Sequence, residues 1–181
     1  NSTGVVEVMN AARKIGATAV PLNYRLSDEE AAYVVDHCDA TTVYVDAEFA
    51  STFERIRAEI PKVTNVVVFD GEAPGGMLSI DPLVAAASTD VWERPEIDEG
   101  GATMIYTSGT TGKPKGAFRR NPADPRQGAA LLAHIGYRPD DIYLTTGPLY
   151  HSGPGGFMSS AIAMGHTVVL RKLRDFQDLG H

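Results

Sequence analysis

The run Tyr106–Gly116 reads YTSGTTGKPKG. Thr107, Ser108, Thr110 and Thr111 supply rotatable hydroxyls, Lys113 and Lys115 supply positive charge, and no acidic residue interrupts them. Gly109 and Gly112, lacking Cβ atoms, let the backbone come close to a ligand and turn its N–H groups inward. Such groups suit a polyanion with many acceptor oxygens, and a nucleotide triphosphate is the obvious one. Spacing excludes two familiar phosphate motifs. The Walker pattern has four residues between its glycines and then Gly-Lys-Ser/Thr, whereas two residues separate Gly109 from Gly112 and Pro114 follows Lys113. The dinucleotide fingerprint G-x-G-x-x-G is absent, and Pro114 prevents a helix from starting smoothly through Lys113–Gly116. A plain polar hairpin would also use Gly, Ser and Thr, but seldom with two lysines after an apolar strand.

A second dense stretch, Gly147–Gly156 (GPLYHSGPGG), places His151 between an aromatic residue and a serine. It reads as a loop directly after a strand, with the small residues Ser152, Gly153 and Gly155 leaving room for a ligand. On residue type alone, a histidine hydrogen-bonded within a turn is the better explanation.

The elements that must position these loops follow from periodicity. Val5, Val6, Val8, Met9, Ala12 and Ile15 form one apolar helical face, and Gly16 is placed to end that helix. Residues 17–22 read as a short buried strand closed by Pro21. Ser27 followed by Glu30 is a capping box, opening a helix with apolar Ala31, Val34 and Val35 and a polar end at Asp36 and His37. Residues 41–45 form a β-branched strand, Phe49, Phe53, Ile56 and Ile60 recur at helical spacing up to Pro61, and residues 63–69 form another buried strand. The fold class is therefore α/β, with mixed or parallel sheets flanked by helices. Residues 70–77 are a Gly/Pro-rich loop, 80–88 a short helix, and 93–101 an acidic linker. The Tyr106–Gly116 loop is expected to join two strands, because Ala117-Phe118 can resume an extended run. A helix over 127–134, a strand over 142–145, a helix over 157–164 and a strand over 167–170 follow.

The first loop resembles the phosphate-loop signature of the adenylate-forming (ANL) superfamily, [ST]-[ST]-G-[ST]-[ST]-G-x-P-K-G, at every position from Thr107 to Gly116. Pro148-Leu149-Tyr150-His151 is similar to that superfamily's next motif, and residues 11–17 and 20–26 look like scaffold of its acyl-CoA synthetase, or fatty-acid–CoA ligase, branch. The resemblance implies part of an N-terminal domain, with residues 1–100 as scaffold, residues 101–181 as the phosphate-loop and acyl-pocket portion, and the C-terminal domain absent. It implies that Thr107, Ser108, Gly109, Thr110, Thr111, Gly112 and Lys115 hold ATP phosphates, with Mg²⁺ bridging phosphate oxygens. His151, Ser152 and Gly153 would line the acyl or adenylate pocket, and Lys172 lies where some ligases contact CoA, although a solvated tail lysine accounts for it too. The implied reaction activates a carboxylic acid, foremost a fatty acid, as acyl-adenylate and passes it to CoA. An aryl- or amino-acid-activating domain and a non-catalytic nucleotide-binding module stay open beside it. No catalytic set is complete in the chain: the downstream adenine-binding, ribose-binding, hinge and catalytic-lysine motifs have no counterpart before His181. Little turnover is expected of this segment alone. The sequence also departs from the family pattern at Phe118-Arg119-Arg120, where a Thr/Ser-His pair is common.

Composition agrees with this reading. A chain of 181 residues with 43% hydrophobic and 22% charged residues is that of a globular protein. Residues 1–100 carry 7 Lys/Arg against 18 Asp/Glu, and residues 101–181 carry 9 against 5, so the polyanion loop lies in the basic part. There is no basic run or module for nucleic acid. Cys38, a single cysteine, fits a reducing, cytoplasmic setting and reads as a small buried hydrophobe. No apolar run has transmembrane length. Apolar faces left by missing segments would allow self-association.

Overall fold

The computed structural model describes residues 1–90, 101–107, 113–120, 130 and 132–171. The chain forms two compact units that interleave along the sequence: residues 1–21, 97–105 and 117–181 make one, and residues 22–96 and 106–116 the other.

The second unit begins with the capping box. Ser27 Oγ accepts from Glu30 N at 3.3 Å while Glu30 Oε2 accepts from Ser27 N at 2.9 Å. Helix α2 (Asp28–His37) follows, after α1 (Thr3–Lys14) of the first unit, and buries Ala31, Ala32, Val34 and Val35. Strand β1 (Thr42–Asp46), a short 3-10 turn (Ala47–Phe49), α3 (Ala50–Arg55), another 3-10 turn (Arg57–Glu59) and β2 (Asn65–Phe69) come next. The spacing of Phe53, Ile56 and Ile60 is realised as a helix tightening into a 3-10 turn, and all three are buried. Full burial of a side chain such as Ile60 stabilises by about 1.5–3 kcal/mol. β1 and β2 pair in parallel with Val43 opposite Val66 and Val45 opposite Val68, as a helical crossover requires.

β3 (Leu78–Ser79), a strand too short to be read from periodicity, pairs in parallel with the other side of β2. β2 is thus central, and Val66–Phe69 are buried on both faces, while Tyr44 on the edge strand is 47% exposed. α4 (Ile80–Ala85) lies on the surface.

In the first unit, Gly16 takes φ 79° and ends α1 as expected. The apolar face of α1 is only half-buried, and Ile15 is 55% exposed. The strand expected over 17–22 reduces to one parallel bridge, Ala19 to Thr103, held by Ala19 N to Ala102 O and Met104 N to Ala19 O, both 2.9 Å. The chain leaves this unit along β4 (Ala102–Thr107) and returns along β5 (Lys115–Arg120), which pair as a two-stranded sheet. Residues 132–135 are helical, whereas most of the helix expected over 127–134 and the linker over 91–100 lie outside the described residues. β6 (Ile142–Leu144), α5 (Ser152–Ala163) and β7 (Thr167–Val169) form a parallel β–α–β unit in which Ile142 faces Thr167. Met158 and Ala161 anchor α5 with no exposed surface. Among the described residues no helix is long and apolar enough to cross a membrane.

Candidate functional site

The two dense loops lie in different units. Of the first, β4 ends at the exposed Thr107 and β5 begins at the exposed Lys115. Ser108, Gly109, Thr110, Thr111 and Gly112 lie outside the described residues. The expected strand–loop–strand arrangement is thus present at both ends.

What secures those ends comes from α2. His37 Nδ1 and Tyr106 Oη are 2.6 Å apart in a hydrogen bond, and their rings meet edge to face. Tyr33, one helical turn earlier on the same face, sends its hydroxyl to Pro114 O in a long contact of 3.5 Å. The Lys113 ammonium stands 4.9 Å from the centre of the Tyr33 ring, within cation–π range. Burial first, with the neighbouring Cys38, Tyr33 and Asp39 adding to it, pushes the Tyr106 phenol up to about 12. Tyr106 therefore stays neutral and can donate its hydroxyl to the imidazole. Lys113, at the variable position of the signature, is thus engaged with an aromatic face, whereas Lys115 is exposed at the strand start. Sequence reasoning took Asp36 and His37 for a plain polar helix end. The signal available was the Tyr33–His37 spacing of four, which puts both rings on one face of α2.

The second loop is shorter than its composition suggests. α5 starts at Ser152 and not near Phe157, so Ser152-Gly153-Pro154-Gly155-Gly156 is helix. Pro154 sits in the first helical turn, where backbone N–H groups have no intrahelical acceptor and proline costs nothing in hydrogen bonding. His151 is the N-cap residue, with φ −81° and ψ 144° and no capping bond from its own side chain. Its N–H donates to Pro148 O at 3.1 Å, and its carbonyl accepts from Gly155 N at 3.0 Å. The imidazole is exposed, 4.3 Å from the Tyr150 ring between centroids. Ser152 and Gly153 are exposed, and the space beside Gly153 is open. His151, Ser152 and Gly153 therefore cluster at the positive end of a helix, which favours a carboxylate or phosphate. Of the two large apolar side chains beyond them, Met158 is core and Phe157 is 46% exposed. Lys172 lies outside the described residues. Among the described residues no group of His, Cys, Asp or Glu is arranged to hold a metal ion.

An α/β scaffold with a hydroxyl-, glycine- and lysine-rich run between paired strands defines the class, and comparison with known proteins agrees. The chain belongs to the AMP-binding enzyme family, whose model matches residues 1–180. It is 32% identical over 172 residues to an indoleacetate–CoA ligase of Aromatoleum aromaticum, covering 94% of this chain and 33% of that protein. The N-terminal domain of FACL13 from Mycobacterium tuberculosis superposes with a TM-score of 0.79 at 26% identity, covering 94% of this chain and 42% of that one. A long-chain-fatty-acid–CoA ligase (FadD1) from Archaeoglobus fulgidus gives a TM-score of 0.78 at 26% identity, covering 94% and 33%. The fold is that of the N-terminal part of adenylate-forming CoA ligases. The chain spans about a third of the length of the curated relative it matches.

Proposed function

We propose that this segment serves an AMP-forming acid–CoA ligase. The observation that carries the reading is the run Thr107–Gly116, set between paired strands in a chain of the AMP-binding family. In the first half-reaction a carboxylate oxygen of the acid attacks the α-phosphorus of ATP. The bond to the β-phosphate oxygen breaks, and pyrophosphate leaves. In the second, the CoA sulfur attacks the acyl carbon, AMP departs and the thiol proton passes to solvent. Neither step needs a nucleophile from the protein, only positioning and neutralisation of phosphate charge.

In this reading Thr107 and the loop through Gly112 donate to the β- and γ-phosphates, and Lys115 adds charge. His151, with Ser152 and Gly153, faces the acid carboxylate at the N-terminus of α5. Mg²⁺ would bridge phosphate oxygens, with its main protein carboxylate supplied from outside this segment. The acid is a fatty or an aryl-substituted one. Likeness to a fatty-acid–CoA ligase supports the first, and the indoleacetate–CoA ligase relative supports the second. A cytoplasmic setting would supply both ATP and CoA. The segment by itself, about a third of such a protein, is expected to complete little turnover; acyl-CoA formed by the purified segment would refute that.

The test is acid-dependent ATP–pyrophosphate exchange by the full-length protein with a panel of fatty, aryl and amino acids. Exchange establishes adenylation, and the responding acid settles the branch. A folded protein that binds ATP but exchanges with no acid would instead be a nucleotide-binding module without this chemistry.

A further inference from the structure

The side chain of Asn1 sits at a junction of backbone segments within one unit. Its Nδ2 donates to Gly147 O and to Arg171 O, both at 3.0 Å, and its Oδ1 accepts from Leu149 N at 3.0 Å. Only one orientation of the amide meets all three partners: two carbonyls require the donor end and one N–H requires the acceptor end. The segments it joins are the turn after β6 and the exit from β7. Arg171 N in turn donates to Thr145 Oγ1 at 3.1 Å, and Thr145, with no exposed surface, donates its N–H to Val169 O at 3.0 Å. The turn is also tight on its other side. A Cβ on Gly147 would stand 2.8 Å from Pro154 Cγ, and one on Gly155 would stand 2.6 Å from Leu149 O. Residues 147–149 are therefore fixed by the Asn1 amide on one side and by the first turn of α5 on the other. His151 follows two residues later, its N–H bonded back to Pro148 O.

We propose that Asn1 is a positioning residue for the carboxylate end of the acid, acting through the Gly147–Leu149 turn that sets His151. This rests on the reading of His151 given under the proposed function. Asn1 touches no reacting atom; it fixes the turn that leads into His151. Asn1→Asp is the informative substitution. The carboxylate keeps the acceptor for Leu149 N but puts one oxygen in place of Nδ2 against the Gly147 and Arg171 carbonyls, so two donated bonds become repulsive contacts. Small misplacement of a binding group is amplified in the kinetics.

The experiment measures ATP–pyrophosphate exchange by the full-length protein and its Asn1→Asp variant, varying acid and ATP separately. The expected result is a rise of about tenfold or more in KM for the acid, with KM for ATP changed less than about twofold. Ile60→Val, in the core of the other unit, is the comparison for general loss of stability. Equal KM values for acid in wild type and Asn1→Asp would overturn the proposal, as would the same change of KM in Ile60→Val. Should Asn1→Asp not fold, Asn1→Ser, which keeps one hydroxyl donor, is measured in the same way with the same expectation. A wild-type protein that exchanges with no acid refutes the ligase reading itself and removes the proposal with it. Exchange by wild type with an unaltered Asn1→Asp variant refutes the positioning role alone.

Discussion

Gly155→Ala tests whether the His151 turn is as closely held as its geometry indicates. The added Cβ would lie 2.6 Å from the Leu149 carbonyl oxygen, where ordinary contact begins at 3.4 Å, so the two must separate by 0.8 Å (3.4 minus 2.6). Neither side yields readily. Leu149 is 3% exposed and its N–H is held by Asn1, while Gly155 N–H is bonded to His151 O. Forced overpacking of this kind costs about 1–3 kcal/mol. The helix preference of alanine over glycine offsets about 1 kcal/mol of that. Gly156→Ala, one position on, has nothing within 4 Å of its new Cβ and should show the helix gain alone. The difference between the two variants thus isolates the steric term, at about 2 kcal/mol. Chemical denaturation of both variants, read as a difference, measures it, and acid-dependent exchange reports whether His151 has moved. If the two variants agree within about 0.5 kcal/mol, the turn is not rigid and the argument fails.

Three further outcomes are expected. Lys115→Ala should lower ATP–pyrophosphate exchange by about 10²-fold through lost phosphate stabilisation, and unchanged exchange would remove Lys115 from the site. Tyr106→Phe deletes the hydrogen bond to His37 and should cost about 0.5–1.5 kcal/mol at neutral pH. Because the phenol is raised from 10.0 to about 12, the stability tied to its neutral form is complete below pH 10 and lost as pH climbs toward 12. The variant should therefore lose less stability than wild type across that alkaline range, and parallel pH–stability curves would contradict the assignment. Ser27→Ala removes half of the capping box on α2 and should destabilise by about 1 kcal/mol, measured by thermal unfolding.

The sequence by itself carries the proposal for the first loop, because hydroxyls, glycines and lysines in that order suit a phosphate chain. It also determined the start of α2, since Ser27 and Glu30 satisfy each other's backbone N–H groups within one turn, and the end of α1 at Gly16. These are local facts, set by residues a few positions apart. The start of α5 was not legible: Gly153, Pro154, Gly155 and Gly156 read as loop, yet Pro154 falls in the first turn, where an N–H needs no intrahelical acceptor. Met158 and Ala161, both without exposed surface, give that helix its buried face. The strand expected at 17–22 shrank to one bridge, because a strand needs a partner that only the tertiary arrangement supplies. The same holds for β3, which exists only beside β2. Tyr33 and His37 were ordinary helix residues until folding brought Tyr106, Lys113 and Pro114, some 70–80 positions away, against them. Asn1 likewise acquires its partners at residues 147, 149 and 171 through the fold alone. What a residue can do is written in its side chain and near neighbours; what it holds in place depends on contacts across the chain that no local pattern encodes.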